Sequence, residues 1–248
     1  MKNVIKLFVV IALTAAIAFA MTACSKKASF GDELKFSNEQ VYTIEQVENG
    51  NNLTVNYKPY TGDVTFNNTY GTRPTVTGGK FSFSRGAPSI LDLAGVYQTL
   101  EYLNIYSSFT NVVVSDSSVS VAVVPGFGTQ RGNKYLDLSM ENIVLKIIIT
   151  GTGENASYSG TQTNESVMFV YVDKDVKITG NGNTNTGTNT RGVPYVEKYN
   201  NLNLSLVKGW NAICTKWEQS VSATSYSSTY TYSVSIPSSL KWILREYD

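Results

Sequence analysis

The chain has 248 residues, with 20 lysines and arginines against 19 aspartates and glutamates, a net charge of +1 and no histidine. Without histidine, Ser-His-Asp triads, His-ligated zinc and histidine general bases are excluded. A near-neutral chain with no clustered lysine and arginine also gives no electrostatic case for nucleic acid.

The chain opens with Met1-Lys2-Asn3-Val4-Ile5-Lys6, runs apolar from Leu7 to Ala20, and continues Met21-Thr22-Ala23-Cys24-Ser25-Lys26-Lys27. Two lysines, a short apolar core and small residues before a cut are the three parts of a secretory signal. The run falls short of the roughly 20 apolar residues that a spanning helix needs. Residues 1–23 are therefore expected to leave as a signal peptide. The cysteine after Thr22-Ala23 resembles the lipobox of bacterial lipoproteins, with Met21 where that motif usually has leucine. The resemblance implies a cut before Cys24 and acyl chains on its sulfur and its amine, enough for a stable membrane anchor. It also implies the outer membrane or cell surface as the destination, because Ser25 is not an inner-membrane retention signal. Ala18-Phe19-Ala20 offers a competing cut that would leave a secreted protein with a free thiol at Cys24.

Residues 24–38 are polar and weakly patterned, and are expected to form a lipidated tether. From 39 to 248 a single all-β domain is expected. Short runs rich in Val, Ile, Thr, Tyr and Phe alternate there with Gly, Asn, Asp and Ser clusters, the pattern of strands and turns. Strands are expected at 41–47, 53–57, 63–67, 79–84, 111–115, 118–124, 134–138, 143–150, 156–162, 166–172, 175–179, 201–207, 210–217, 224–235 and 240–245. Between Ser89 and Tyr106, Ile90, Leu93, Ala94, Tyr97 and Leu100 fall near helical spacing after Pro88, so a short helix is expected near 89–104. Residues 180–192 contain no apolar side chain and read as a flexible surface loop. From Thr224 to Ile236 the chain places Tyr226, Tyr230, Tyr232, Val234 and Ile236 on one face and hydroxyl residues on the other. This is a half-buried antiparallel strand, long enough to require a bulge or a bend.

Several motifs carry chemistry elsewhere and are weak here. Gly151-Thr152-Gly153-Glu154-Asn155-Ala156 has the spacing of a dinucleotide loop, but a strand pattern follows it where that site needs a helix. A hairpin turn is expected there, and a second turn at Gly126-Phe127-Gly128-Thr129-Gln130-Arg131-Gly132. Ser205-Leu206-Val207-Lys208 and Ser238-Ser239-Leu240-Lys241 match Ser-x-x-Lys without the companion motifs of penicillin-binding enzymes. Asp173-Lys174-Asp175 could offer oxygen ligands, but it lacks the calcium-loop pattern and reads as a charged turn. Cys214 lies in an alternating segment and reads as a small buried hydrophobe. No cofactor and no metal are expected. Among carboxylates, Asp63, Asp92, Asp137 and Glu141 could serve a two-acid hydrolase only if two of them share a cleft.

Aromatic residues are the remaining lead, with 16 tyrosines and tryptophans at Trp210, Trp217 and Trp242. Trp210 and Trp217 are an odd number apart and so face opposite ways on one regular strand. The three tryptophans are candidates for a carbohydrate or protein-binding surface. The phrases Val172-Asp173-Lys174-Asp175-Val176-Lys177-Ile178-Thr179-Gly180 and Lys208-Gly209-Trp210-Asn211 resemble uncharacterised surface lipoproteins of spirochaetes. That resemblance implies a cell-envelope β protein with no assigned activity.

The expected fold is an antiparallel β-sandwich, with a lipocalin-like barrel as the alternative. The expected function is non-catalytic binding of a ligand or macromolecule by a protein anchored to the membrane through lipid on Cys24. A structural envelope assembly protein and a carboxylate-dependent glycoside hydrolase are the alternatives.

Overall fold

The computed structural model describes residues 25–27, 29–67, 73–89, 92–102, 105–151, 157–189 and 192–247, so the expected signal peptide over 1–23 and Cys24 lie outside the described residues. In chain order the strands are β1 (Ser25–Lys27), β2 (Ser29–Gly31), β3 (Leu34–Asn49), β4 (Asn52–Pro59), β5 (Val64–Thr65), β6 (Thr75–Thr77), β7 (Lys80–Arg85) and β8 (Ala94–Gly95). Two short helices, Val96–Tyr102 and Ile105–Ser108, follow. Then come β9 (Thr110–Val114), β10 (Ser120–Val124), β11 (Phe127–Arg131), β12 (Lys134–Thr150), β13 (Ser157–Val172), β14 (Val176–Asn181), β15 (Thr184–Thr188) and β16 (Pro194–Tyr199). The last are β17 (Leu202–Leu206), β18 (Gly209–Val221), β19 (Tyr226–Ser233), β20 (Ser235–Pro237) and β21 (Lys241–Tyr247).

The chain is all-β in a sandwich-like arrangement of layers. Its main sheet runs β15-β16-β19-β18-β13-β12-β21-β3-β7-β6-β5, and a second sheet runs β17-β14-β9. Pairing is antiparallel throughout the described strands except between β16 and β19 and between β21 and β3. The main sheet folds over where β3 turns a corner. A bulge between Phe36 and Glu39, with Asn38 at φ 56°, lets the start of β3 pair β7 and its end pair β4. Asparagine tolerates that left-handed backbone better than most residues.

Two cores are built on β13 and β18. Val167, Phe169 and Tyr171 of β13, with Trp210, Ala212 and Cys214 of β18, face the first core beside Phe36, Phe81, Phe127 and Trp242. Val170 and Val172, with Ile213, face the second, which the helices and the β17-β14-β9 sheet close. The strand interior at Val167–Val172 is therefore apolar at nearly every position, as a strand covered on both faces must be.

Several expectations change. The expected tether over 24–38 is part of the fold from Ser25 onward: β1 pairs β20, β2 pairs β18, and Leu34 is fully buried. The physical reason is that Phe30, Leu34 and Phe36 supply apolar surface to the first core. The expected flexible loop at 180–192 contains β15, which earns its order from main-chain pairing with β16 rather than from burial. Gly182 permits the approach, since a side-chain carbon there would meet Tyr199 O at 2.0 Å. Within the glycine-rich segment 126–132, Phe127–Arg131 form strand β11, and the turn falls at its end on Gly132. The predicted pairs 134–138 with 143–150, and 156–162 with 166–172, are each one long strand. The expected bend in 224–235 falls at Val234, between β19 and β20, and carries Ile236 to the first core while Tyr232 and Val234 stay with the second.

Candidate functional site

Two of the three candidate tryptophans are core residues. Trp210 is 0% exposed, donates its indole N–H to Gly86 O at 3.1 Å and lies under the Arg85 guanidinium. Trp242, 3% exposed, sits among the phenylalanines of the first core, 4.4 Å from the Phe81 ring centre. Both are removed from any contact surface, because large aromatic side chains are what fill the space between packed sheets. Trp217 faces the opposite way from Trp210, as its parity on β18 requires, and is half-buried.

Trp217 belongs to an aromatic array that only strand pairing reveals. Parallel pairing of β16 with β19 sets Tyr195 opposite Tyr226 and Tyr199 opposite Tyr230, and β18 sets Trp217 opposite Tyr230. The rings stack across the strands: Tyr195 on Tyr226 at 5.4 Å and 16°, Tyr199 on Tyr230 at 4.7 Å and 10°, and Trp217 on Tyr230 at 6.4 Å and 28°. Each such contact contributes about 0.5–1.5 kcal/mol beyond burial and fixes its rings. The two rows stand four residues apart along the strands, about 13 Å. Between them lies a row of Glu197, Ser228 and Gln219. All five rings are half-buried, and a hollow of about 170 Å³ at the strand ends, bordered by Tyr195 and Tyr226 from this face and by Val196, Ser220 and Ser227 from the other, adjoins the first row.

The polar chemistry of this face is uncharged apart from Glu197. Burial, then the neighbouring Tyr199 and Glu197, raises the Tyr230 phenol, and burial likewise raises Tyr226 and Tyr232. These hydroxyls remain protonated near neutral pH and can donate as well as accept. Trp217 Nε1 and Asn164 Oδ1 are buried without a hydrogen-bond partner among the described residues. They stand on cross-strand neighbours, since Asn164 pairs with Trp217. Buried polar atoms left without a partner are unusual in a folded protein.

Two of the named carboxylates do meet. Asp137 and Glu141, with Ser139, Tyr135 and Ser166, line a shallow pocket of about 400 Å³ on β12. Glu141 is buried, accepts a two-pronged pair of hydrogen bonds from Arg245, and accepts another from Ser139 Oγ. Both of its oxygens are thus engaged. Burial raises the Asp137 carboxyl, the Glu141 charge adds to the rise, and Arg245 and Ser139 oppose it. Between the ordinary carboxylate value and its raised one, folded Asp137 therefore holds more proton than the unfolded chain. Stability falls as pH rises through that window, because it rises only where the unfolded state binds more protons. Asp137→Asn is expected to abolish this loss, giving a variant more stable than wild type at neutral pH in urea unfolding; an unchanged pH profile would refute the assignment. Asp63 accepts from Gly78 N, and Asp92 caps Ser89, so neither joins the pocket.

The remaining motifs have structural partners. Asp173 accepts from Ser120 N and Asp175 from Lys208 N, while Lys174 reaches Ser118 and Asp116. Hydrogen bonds from Ser118 hold Asp116 below the usual carboxylate range. These carboxylates cap turns, and no group of three metal-ligating side chains occurs among the described residues. Ser205 lies on β17 and Ser238 in the β20–β21 connection, so neither Ser-x-x-Lys serine stands on a helix. Residues 152–156 of the glycine string lie outside the described residues, and the strands flanking them pair Thr150 with Ser157 as an antiparallel hairpin.

Cys214 is 2% exposed, and burial pushes its thiol up to about 11, with the Glu165 charge adding to the rise. A thiol so placed is almost all protonated at pH 8. Ellman's reagent is expected to leave it untouched in the folded protein and to titrate it fully in denaturant. Rapid reaction under native conditions would contradict its placement.

No family model matches the chain, and no curated protein or solved structure shows significant similarity to it.

Proposed function

We propose that the protein is a non-catalytic envelope protein, anchored by lipid on Cys24, that binds a hydroxyl-rich ligand of the carbohydrate class on the tyrosine face of β16, β19 and β18. The observation that carries this reading is the pair of stacked rows, Tyr195 with Tyr226 and Tyr199 with Tyr230 and Trp217. Rigid aromatic side chains give contact area at low entropic cost, and their polar ends give hydrogen bonds. A sugar hydroxyl, which donates and accepts at once, is the group complementary to neutral phenols. The near absence of charge on the face favours a neutral ligand over an anionic one.

A two-acid hydrolase gains less support. Its second carboxylate would have to be Glu141, whose oxygens are already held by Arg245 and Ser139.

The test is retention on an array of neutral oligosaccharides by wild type and by Tyr230→Ser and Trp217→Ser. Truncating a central aromatic anchor is expected to weaken binding at least about tenfold. Wild-type protein that ignores every glycan, or variants that bind as tightly as wild type, would overturn the reading. Metabolic labelling with a clickable fatty acid, compared with Cys24→Ala, tests the anchor separately: no label in wild type leaves a merely secreted protein.

A further inference from the structure

The register of β1 has a consequence for how an anchored protein would sit. Ser25 pairs with Pro237, Lys26 with Ile236 and Lys27 with Ser235. Consecutive Cα atoms are about 3.8 Å apart, so Cys24 is joined to a residue already fixed in the fold, with no spacer between them. A domain held on a flexible tether could turn freely above a membrane. A domain joined through a paired strand presents one region to it.

That region can be named from the pairing. Ile236 and Leu240, on either side of Pro237, pack against the first core, and Ser239 Oγ donates to Glu165 on β13. The β1–β20 ribbon therefore lies on the first-core side of the central strands. Beyond the end of that core, the same side of β12, β13, β18, β19 and β16 is uncovered. Register places Val144, Thr163, Glu218, Thr229 and Lys198 in one row across it. Lys146, Thr161, Ser220, Ser227 and Val196 form the next. Val144, Ile148 and Val196 are 40%, 49% and 41% exposed.

We infer that this uncovered face, next to the anchor end of the β1–β20 ribbon, rests on the surface of an anionic lipid bilayer. The inference rests on the reading that Cys24 is acylated. Length of chain is one argument: no free residue separates the lipidated position from the fold. Charge is the other. Lys146 and Lys198 are exposed, while Lys216 pairs with Glu218 at 2.8 Å and Glu165 is held by Asn142 and Ser239. Asn142 and Ser239 are neutral and leave the Glu165 charge in place. Lys146, Lys198 and Lys216 thus stand against Glu165 and Glu218, and the face is weakly basic, with aliphatic side chains between its lysines, a composition that suits an anionic headgroup layer. The tyrosine rows occupy the opposite face of the same strands, so this seating turns them away from the bilayer and toward a ligand.

The test uses the full acylated protein in vesicles of phosphatidylcholine and phosphatidylglycerol containing a nitroxide-headgroup lipid. Bimane is attached to Thr161→Cys, Ser220→Cys or Asn203→Cys; the first two lie on the uncovered face, and Asn203 is exposed on β17 beyond the second core. Severalfold stronger quenching at 161 and 220 than at 203 is expected. Equal quenching at all three in a protein whose mass shows its acyl chains would overturn the seating and leave the anchor standing. A protein whose mass shows no acyl chains would overturn both. Quenching strongest at 203 would place the opposite side on the membrane and also overturn the inference.

Discussion

Replacing Glu141 with alanine is expected to cost about 3–5 kcal/mol of unfolding free energy, because it strands a partly buried cation. The Glu141 side chain is 8% exposed and that of Arg245 22%, and the guanidinium fork meets both carboxylate oxygens. Ser139 donates to the same carboxylate and would lose its acceptor as well. Arg245→Met should cost a comparable amount at neutral pH. It leaves the Glu141 carboxylate buried without its guanidinium partner, with only Ser139 Oγ still donating to it. The double variant Glu141→Leu/Arg245→Met leaves no lone charge and should be milder than the two single losses added together. Urea unfolding of all four proteins decides the matter. Single variants within about 1 kcal/mol of wild type would mean that solvent screens the pair as it does surface pairs.

What was legible from residue order, and what was not, divides along the distance between partners. Alternation marks most strands because side-chain period is local, as in Thr224–Ile236, where Tyr226, Tyr230 and Tyr232 share a face both in expectation and in the fold. The opposition of Trp210 and Trp217 follows from the same parity. Ser139 and Glu141 hid the continuity of β12, since polar residues in mid-strand look like a break until Arg245 is brought opposite Asp137 by β21. Gly126 and Gly128 suggested a turn, but β11 uses Gly128 to admit the Tyr135 ring, whose hydroxyl would lie 1.8 Å from a side-chain carbon at that position. The tyrosine rows were half visible. Tyr195 and Tyr199 belong to β16, which follows the low-complexity stretch and was not expected as a strand, and its parallel pairing with β19 spans the whole of β17 and β18. One local signal was available: the unbroken apolar run Val167-Met168-Phe169-Val170-Tyr171-Val172 indicates a strand covered on both faces, and hence a third layer.

Trp242→Ala is expected to cost about 3–5 kcal/mol, the range for truncating a large aromatic in a packed core. The indole touches Phe36, Phe81, Phe127 and Phe169, with ring centres 4.4 to 6.2 Å away. Those rings come from β3, β7, β11 and β13, so a cavity at this point loosens both halves of the folded sheet together. Collapse to fill it is opposed by the rigidity of the surrounding rings, which places the cost toward the upper end. Trp242→Phe separates volume from polarity. The Trp242 Nε1 hydrogen has no acceptor among the described residues, so phenylalanine removes a buried unsatisfied donor while creating a smaller void. A lost hydrogen bond adds nothing to its cost, and relief of the unmade one offsets part of the lost packing. The phenylalanine variant should therefore retain most of the stability, with a loss below about half that of alanine. For a chain of this size the alanine loss corresponds to a fall in Tm of about 2–4 °C per kcal/mol. Near-wild-type melting of Trp242→Ala would remove Trp242 from the centre of the first core, and equal losses for both variants would mean that its N–H is bonded after all.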